Sequence, residues 1–253
     1  MNLSENTVLI TGGGTGIGYA LAEKFLDANS EVIICGRRKS KLQEARVRHP
    51  KLHIRQCDVA DEPQRKELMK WSNAHFPDLN ILVNNAGIQR QVDFTSSQVA
   101  KSPSSKNDEV TINLTSQIRL CGLFATRLMK HETSAIVNVS SGLAFVPIAQ
   151  MPIYCATKAA IHSFTRSLRH QLRNTHVRVF EAAPPTTDTE LDATFAGEQE
   201  QAYRGISAEE VAEAIVDGMR ADREEIIIGE AQGLYRASLR DPESIFKKLN
   251  EEG

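Results

Sequence analysis

Three polar residues near the middle of the chain have the types and the spacing that proton transfer requires. Tyr154 follows Ser141 by thirteen residues, and Lys158 follows Tyr154 by four. Residues i and i+4 share one face of a helix, so the ammonium group of Lys158 is predicted to lie close to the phenol of Tyr154. An ordinary tyrosine titrates near ~10, too high for efficient proton exchange at neutral pH, and a nearby cation lowers that pKa.

This arrangement predicts that Tyr154 is a general acid/base and that Ser141 holds and polarises a substrate oxygen. Taken by themselves, Tyr154 and Lys158 fit better with an interfacial tyrosine and a solvated lysine one helical turn later. The catalytic interpretation therefore depends on a second feature, a glycine-rich turn that precedes both residues in the chain.

That turn begins where the first predicted strand ends. Five of the seven residues from Gly12 to Gly18 are glycine, and a helical pattern starts directly afterwards. Without Cβ atoms, backbone N–H groups can approach a pyrophosphate, and the helix N-terminus adds partial positive charge there. The spacing matches neither the GxGxxG fingerprint nor a P-loop, and a tight structural turn is the alternative. The residues predicted to bind a dinucleotide here are Gly12, Gly14, Thr15, Gly16, Ile17 and Gly18.

Two arginines follow the second predicted strand, where a dinucleotide-binding fold often has an acidic residue for the ribose 2′-hydroxyl. This chain has Arg37 and Arg38 instead. A carboxylate would repel a 2′-phosphate, whereas a guanidinium pairs with it through charge-assisted hydrogen bonds. The pair therefore favours NADP(H), with NAD(H) still possible. In the alternative interpretation, both arginines are solvated residues that open the next helix.

Two further strand ends carry residues that could contact the rest of such a cofactor. Asp58 and Val59 follow the third predicted strand, where a carboxylate can accept a hydrogen bond from an adenine amino group. The fourth strand leads into Asn85, Ala86 and Gly87, whose small residues permit close approach of a ribose. Both stretches are also ordinary turn sequences, so neither of them predicts cofactor binding without the other motifs.

The elements that must position these residues alternate between short β-branched runs and longer amphipathic stretches. This alternation predicts one α/β domain over residues 1–253, a doubly wound Rossmann domain with a mostly parallel seven-stranded sheet. The predicted strands are Thr7–Ile10, Glu31–Cys35, His53–Cys57, Ile81–Val83, Ala135–Val139, Val177–Glu181 and Glu225–Ile228. The predicted helices are Ile17–Ala28, Lys39–Arg48, Pro63–Phe76, Glu109–Lys130, Ile153–Arg173 and Ala208–Arg220.

Composition excludes several other classes of protein. The chain has 253 residues, 41% of them hydrophobic, and a net charge of -2, which argues against disorder and against nucleic acid or membrane as the main partner. It begins without the pattern of a signal peptide and contains no run long enough to span a bilayer, so we expect a cytoplasmic protein. The four cysteines are expected to be free thiols, and the histidine spacing predicts no metal site.

Two long irregular segments interrupt the alternation, at Gln89–Lys106 and Pro184–Gly205. Loops of this length in a compact domain are usually functional or mobile. The second follows a strand, at the edge where open α/β sheets bind their ligands. Both segments could instead be surface insertions without a role.

Taken together, TGxxxGxG, NNAG, a mid-chain asparagine, a serine and YxxxK resemble the short-chain dehydrogenase/reductase family in order and spacing, over residues 4–230. In their finer detail, VIICGRR, SSGLAFVP, YCATKAA and AAPPTTDTEL are similar to the DltE-type bacterial oxidoreductases of that family. The resemblance implies NAD(H) or NADP(H) as cofactor and an active site formed by Asn113, Ser141, Tyr154 and Lys158. It also implies that Lys158 binds the nicotinamide ribose and that Asn113 holds a water in a proton relay to Lys158.

The same resemblance implies hydride transfer between NADP(H) and a small carbonyl or alcohol substrate, in a homodimer or homotetramer. Pro184, Thr187 and Thr189 fall where the family contacts the cofactor, but Pro185 replaces the usual glycine and could alter the path of that loop. A non-catalytic NADPH-binding sensor is the main alternative, and a nucleotide-sugar epimerase or dehydratase is a second. The pocket is predicted to be apolar and to include the loop 184–205 and Leu143, Ala144, Phe145, Val146, Ile148 and Met151.

Overall fold

Seven short apolar runs form one parallel sheet in the computed structural model, which describes residues 1–96, 108–189, 191 and 205–251. The spatial order of its strands is β3-β2-β1-β4-β5-β6-β9, and every neighbouring pair is parallel. Strands β7 and β8 pair separately. The bounds are β1 Thr7–Thr11, β2 Glu31–Gly36, β3 His53–Gln56, β4 Leu79–Asn84, β5 Ser134–Val139, β6 Val177–Ala183, β7 Thr187–Asp188, β8 Ile206–Ser207 and β9 Glu225–Ile227. The predicted doubly wound, seven-stranded sheet is confirmed.

Helices connect consecutive strands, as parallel pairing requires. The six predicted helices are present, and two more follow the last strand. The bounds are α1 Gly16–Asp27, α2 Lys39–Arg48, α3 Glu62–His75, α4 Ser116–Leu128, α5 Pro152–Leu172, α6 Ala208–Arg220, α7 Ala231–Arg240 and α8 Pro242–Glu251. One predicted helix differs in detail, because its first part, Val110–Thr115, is a π-helical turn that leads into α4. In the part of the chain described here, no helix has the length and apolar character needed to cross a membrane.

The helices cover both faces of the sheet, so its central strands are apolar on both sides, whereas the edge strand β3 is partly exposed. On β1, Val8 and Ile10 pack in the core shared with α1, α2 and α6. Leu9 points to the opposite face and packs in the core formed with α3, α4 and α5. Phe25 and Phe124 are fully buried, one in each of these cores.

The strand order reverses between β1 and β4, and this switch point sets the position of the site. The segments that follow β1 and β4 run to opposite faces of the sheet. A crevice therefore lies between them at the carboxyl ends of the strands. Both long loops border it but are described only in part. Residues 97–106 of the first loop, and residues 190 and 192–204 of the second, lie outside the described residues.

Candidate active site

One cavity of about 620 Å³ lies at the carboxyl edge of the sheet and connects the sequence motifs. Its wall is continuous from the glycine-rich turn to the predicted catalytic residues. Of the residues singled out from the sequence, it includes Gly12, Gly14, Thr15, Gly16, Ile17, Arg37, Arg38, Asp58, Val59, Asn85, Ala86, Gly87, Ser141, Tyr154, Lys158, Pro184, Thr187 and Thr189. Folding therefore brings side chains from six different strand ends to one crevice.

The glycine-rich turn joins β1 to α1 and faces this cavity. Gly12 has φ +66°, in the left-handed region, and a Cβ placed on it would lie 2.9 Å from Cα of Ala86. Any side chain at position 12 would therefore be strained and would collide with the turn after β4. Thr15 is the N-cap of α1 but makes no side-chain capping hydrogen bond, and the first turn of α1 has no acidic residue. The N-terminus of α1 thus faces the cavity with its N–H groups uncapped by Thr15.

A residue that the sequence reasoning missed, Thr11, holds this turn against the end of β4. Its hydroxyl oxygen accepts hydrogen bonds from the N–H groups of Asn85 and Ala86, both at 3.0 Å, and donates to the carbonyl of Val83 at 3.3 Å. In return, the side-chain amide of Asn85 donates to the carbonyls of Thr11 and Gly12. The side chain of Asn85 therefore stabilises the turn, while the residue still contributes to the cavity wall.

Positive charge is concentrated at the end of β2. Arg37, Arg38 and Lys41 all line the cavity, and Lys41 was not identified from the sequence. A guanidinium nitrogen of Arg38 donates to the Thr15 hydroxyl at 3.2 Å, which places it beside the N-terminus of α1. Asp58 also lines the cavity, but its carboxylate accepts a hydrogen bond from the N–H of Ala60 at 3.0 Å. Asp58 is thus a turn residue as well as a wall residue.

Tyr154 and Lys158 lie one turn apart on α5 and both are buried at the cavity wall. Lys158 is only 4% exposed, so it is not the solvated lysine of the alternative interpretation. Its Nζ lies 5.5 Å from the centroid of the Tyr154 ring and donates to the carbonyl of Val139 at 2.9 Å. Burial lowers the pKa of Lys158 to about 8, against the opposing effect of the Glu181 carboxylate. The ammonium group therefore titrates close to physiological pH.

Ser141 is the second residue after β5, in extended backbone, and it lines the cavity. Its oxygen accepts a hydrogen bond from the N–H of Leu143 at 3.1 Å, which starts a short 3₁₀ turn. A serine hydroxyl that accepts one bond still carries its own hydrogen for donation. Gly142 donates to the carbonyl of Pro184, and a Cβ there would lie 2.8 Å from Cβ of Ala231. Helix α7 consequently packs directly against the turn that carries Ser141.

Asn113 lies in the π-helical turn and is fully buried. Its Oδ1 accepts from the N–H of Ile88 at 2.8 Å, and its Nδ2 donates to the carbonyl of Ile88 at 2.7 Å and to Thr157 Oγ1 at 3.2 Å. These bonds hold the segment after Gly87 in place. Asn113 is not part of the cavity wall, and the water assigned to it by resemblance stays a prediction.

The end of the cavity beyond Ser141 and Tyr154 is largely apolar. Leu143, Ile148 and Met151 line it as predicted, but Ala144, Phe145 and Val146 do not. Val146 is buried elsewhere, and Phe145 packs at 4.8 Å from the ring of Tyr235. Leu191 of the predicted loop 184–205 also lines the cavity, and the wall is completed by residues that the sequence analysis missed, namely Ile88, Gln89, Ile112, Glu230, Ala231, Leu234 and Leu249.

The two C-terminal helices contribute part of this apolar wall. Leu234 comes from α7 and Leu249 from α8. Asn250 fixes α8 by accepting from the N–H of Ala149 at 2.5 Å and donating to the carbonyl of Pro147 at 3.2 Å. Across the opening, Gln89 donates to the carbonyl of Leu191 at 3.2 Å, which joins the loops after β4 and β6.

Known proteins are similar to this chain in sequence or in fold. A family model described as short chain dehydrogenase matches residues 6–200. An uncharacterized oxidoreductase of Bacillus subtilis (strain 168), DltE, is 46% identical over 250 residues, which is 99% of this chain and 98% of that protein. An uncharacterized oxidoreductase of Staphylococcus aureus (strain MRSA252) is 26% identical over 85% of this chain and 90% of that protein.

Solved structures show the same architecture. A short chain dehydrogenase from Burkholderia cenocepacia J2315, in complex with NADP, superposes with TM-score 0.82 at 23% identity, covering 98% of this chain and 99% of that one. A short chain dehydrogenase/reductase from Burkholderia phymatum, in complex with NAD, also has TM-score 0.82, at 22% identity, covering 97% and 96%. Fold, family model and full-length similarity agree, and the chain belongs to the short-chain dehydrogenase/reductase family of oxidoreductases.

Proposed function

We propose that this protein transfers hydride between NADP(H) and a small carbonyl or alcohol substrate, with Tyr154 as general acid/base. One observation carries the proposal. Tyr154, Lys158 and Ser141 line the same cavity as the glycine-rich turn and the arginines after β2. A dinucleotide bound along this wall would extend from the cationic end of the cavity towards the proton-donating groups.

The residues present fit a dinucleotide. Gly12 allows close backbone approach, and the N-terminus of α1 presents N–H groups that Thr15 does not cap. Phosphate oxygens are the ligands that such a helix end favours. Asp58, Ala86 and Thr187 would border the adenine, ribose and carboxamide parts. When bound, the nicotinamide ring supplies or accepts the hydride, which no amino-acid side chain can do.

The charge at the end of β2 supports NADP(H) over NAD(H). Arg37, Arg38 and Lys41 contribute three cations to the wall, and a 2′-phosphate would complement them. Solved structures with the same fold include one in complex with NADP and another in complex with NAD, so NAD(H) stays an alternative. The preference is therefore a property of this chain's own residues, and direct binding measurements test it.

The chain's own residues are proposed to manage the proton and the substrate oxygen. In reduction, Ser141 donates a hydrogen bond to the carbonyl oxygen, and Tyr154 transfers its proton to that oxygen as the alcohol forms. Lys158, buried beside the ring, stabilises the resulting phenolate. Asn113 is proposed to hold the water that returns the proton towards Lys158. Positioning and electrostatics are thus the protein's contribution to the rate.

The apolar end of the cavity favours a substrate with a hydrophobic body. Leu143, Ile148, Met151, Leu234 and Leu249 surround the space beyond Ser141. The substrate is proposed to be small, because it shares this one cavity with the cofactor. The protein is further proposed to be cytoplasmic and to form a homodimer or homotetramer through α4 and α5, without nucleic acid or membrane as partner.

A non-catalytic NADPH sensor is less well supported. Such a protein needs the cofactor wall, including a lysine for the nicotinamide ribose, but has no need for a tyrosine paired with that lysine. Burying an ammonium group costs free energy, and among the described residues the cost is offset by a hydrogen bond to Val139, the ring of Tyr154 and the charge of Glu181. A role for the Lys158 cation in proton transfer would explain why a costly buried lysine lies at this position.

Two measurements test the proposal together. Fluorescence titration compares the dissociation constants of NADPH and NADH, with tighter NADPH binding expected. Loss of the near-ultraviolet absorbance of NADPH is then followed across a panel of aliphatic and aromatic ketones and aldehydes. Turnover of at least one apolar carbonyl compound is expected. Tight NADPH binding without turnover of any carbonyl or alcohol would favour the sensor instead.

A further inference from the structure

A buried carboxylate lies behind the active site, and the hydride-transfer chemistry does not account for it. Glu181 is on β6 and is 2% exposed. Its Oε1 accepts a hydrogen bond from the Ser140 hydroxyl at 2.5 Å, and its Oε2 lies 2.8 Å from Nδ1 of His162. A buried carboxylate is costly unless it is bonded and paired. Here both oxygens have partners, so the group is built into the fold.

The bond to Ser140 acts on the backbone that carries the active site. Ser140 stands between Val139, whose carbonyl accepts from Lys158 Nζ, and Ser141. The N–H of Ser140 also donates to the carbonyl of Ala182 at 2.8 Å. A main-chain bond and a side-chain bond therefore attach Ser140 to β6. The position of this residue determines where the acceptor for Lys158 and the hydroxyl of Ser141 lie.

The charge of Glu181 also acts on Lys158. Burial lowers the pKa of Lys158 to about 8, and the negative charge of Glu181 works in the opposite direction. Without that charge, the ammonium group would lose its proton at a lower pH. Lys158 would then be neutral over part of the range in which Tyr154 needs a neighbouring cation.

His162 modulates this charge, and the groups around His162 shift its own pKa in both directions. The bond to Glu181 raises the pKa of His162, burial lowers it, Glu225 on β9 raises it and Arg166 on α5 lowers it. Arg169 is 3.6 Å from Glu225 and partly neutralises that carboxylate. Below its pKa the His162 imidazolium offsets the charge of Glu181, and as pH rises the full negative charge is left facing Lys158.

We infer that Glu181 is a positioning residue of the active site, which fixes the strand end carrying Val139 and Ser141 and keeps Lys158 in its cationic form. The inference rests on the proposed function, since it assigns Glu181 a part in the proton chemistry of Tyr154 and Lys158. Glu181 touches neither substrate nor cofactor in this role, because it lies outside the cavity wall.

The test measures the titration of Lys158 directly in the full chain. Protein labelled with ¹³C and ¹⁵N at lysine is followed by NMR from about pH 6 to pH 11, with the Lys158 signal assigned by its loss in Lys158→Met. Glu181→Gln keeps the size of the side chain but removes its charge. We expect the pKa of Lys158 to fall by about one unit, and the alkaline limb of kcat to move by the same amount. Glu225→Gln, which also faces His162 but has no bond to Ser140, is the matched control and should leave both unchanged.

An unchanged Lys158 titration in folded Glu181→Gln protein would overturn the inference. If that variant does not fold, Glu181→Asp takes its place, because it retains the charge but is too short to reach both partners. The pKa of Lys158 should then stay near 8 while kcat falls, and a fall in that pKa would count against the charge effect. The NMR titration needs no substrate. Failure of carbonyl turnover therefore rejects the proposed function, whereas failure of the Lys158 shift rejects only the role of Glu181.

Discussion

The ammonium nitrogen of Lys158 lies 5.5 Å from the centre of the Tyr154 ring, and both side chains are buried on the same face of α5. The spacing of these two residues in the sequence allowed either a solvated lysine or a cation held beside the phenol. The burial of Lys158 next to the ring supports the second interpretation. In general, a cation beside a phenol in a poorly solvated site interacts more strongly with the phenolate than it would in water. Four experiments follow from this arrangement and from the walls of the cavity around it.

Replacing Tyr154 with phenylalanine removes the proposed proton donor but keeps the ring that forms part of the cavity wall. We expect turnover to fall by about 10²–10⁴-fold, the range that general acid/base catalysis contributes, with the dissociation constant of NADPH nearly unchanged. Steady-state kinetics and fluorescence titration provide the two readouts. Tyr235→Phe is the matched control, because Tyr235 packs on Phe145 outside the cavity wall. Wild-type turnover in Tyr154→Phe would remove Tyr154 from the mechanism.

Arg38 is expected to distinguish the two nicotinamide cofactors. The Arg38→Ala variant loses a guanidinium that stands beside Thr15 at the end of the cavity. Loss of a charge-assisted hydrogen bond of about 1.5–3 kcal/mol should weaken NADPH binding by about 10- to 100-fold, with little effect on NADH. Lys39→Ala, one residue along on the exposed side of α2, serves as the control. Equal weakening of both cofactors would show that Arg38 does not contact a 2′-phosphate.

The pH profile should report the titration of Lys158. Its pKa is lowered to about 8, so the cation is present below that pH and is lost as pH rises through it. Because the phenolate of Tyr154 then loses its neighbouring cation, kcat/KM should decline above about pH 8. Lys158→Arg keeps a positive charge at every accessible pH, and we expect a lower rate without this alkaline limb. An identical limb in the arginine variant would assign it to another group.

Helix α8 is expected to influence substrate binding without affecting the cofactor. Asn250→Ala removes the bonds to Ala149 and Pro147 that hold Leu249 against the apolar end of the cavity. Two hydrogen bonds of about 0.5–1.5 kcal/mol each are lost, so the KM for an apolar substrate should rise several-fold to about 100-fold. NADPH affinity should not change. Lys247 is exposed on the same helix, so Lys247→Ala is the control. An equal rise in KM in both variants would show that the loss of the Asn250 bonds is not the cause.

Several residues were beyond sequence reasoning for identifiable physical reasons. Helices α7 and α8 are amphipathic but were not predicted, and only the tertiary structure shows that their apolar residues Leu234 and Leu249 line the cavity. Glu181 did leave a signal, since a carboxylate inside a strand that is buried on both faces needs a partner. That partner, His162, is on α5, and only the packing of α5 on β6 shows that the two meet.

Asn113 illustrates the opposite case, in which the residue was identified but its contacts were not. Its place in the chain pointed to the active site, yet its side chain is bonded to the backbone of Ile88 and to Thr157. Phe145 was expected in the pocket because it is apolar and follows Ser141. It turns instead towards His162, where edge-to-face ring packing at 5.2 Å is available.

The amino-acid sequence by itself determined the alternation of strands and helices, because a period of two or of 3.6 residues and the glycine-rich turn are local properties of the chain. It also determined which chemical groups stand at the ends of the strands. Only the tertiary structure decided which of those groups share one cavity, which become buried and so change their pKa, and which helices close the apolar end. Those outcomes depend on contacts between residues far apart in the chain, such as Lys158 with Val139 and Asn250 with Ala149, and local patterns carry no information about them.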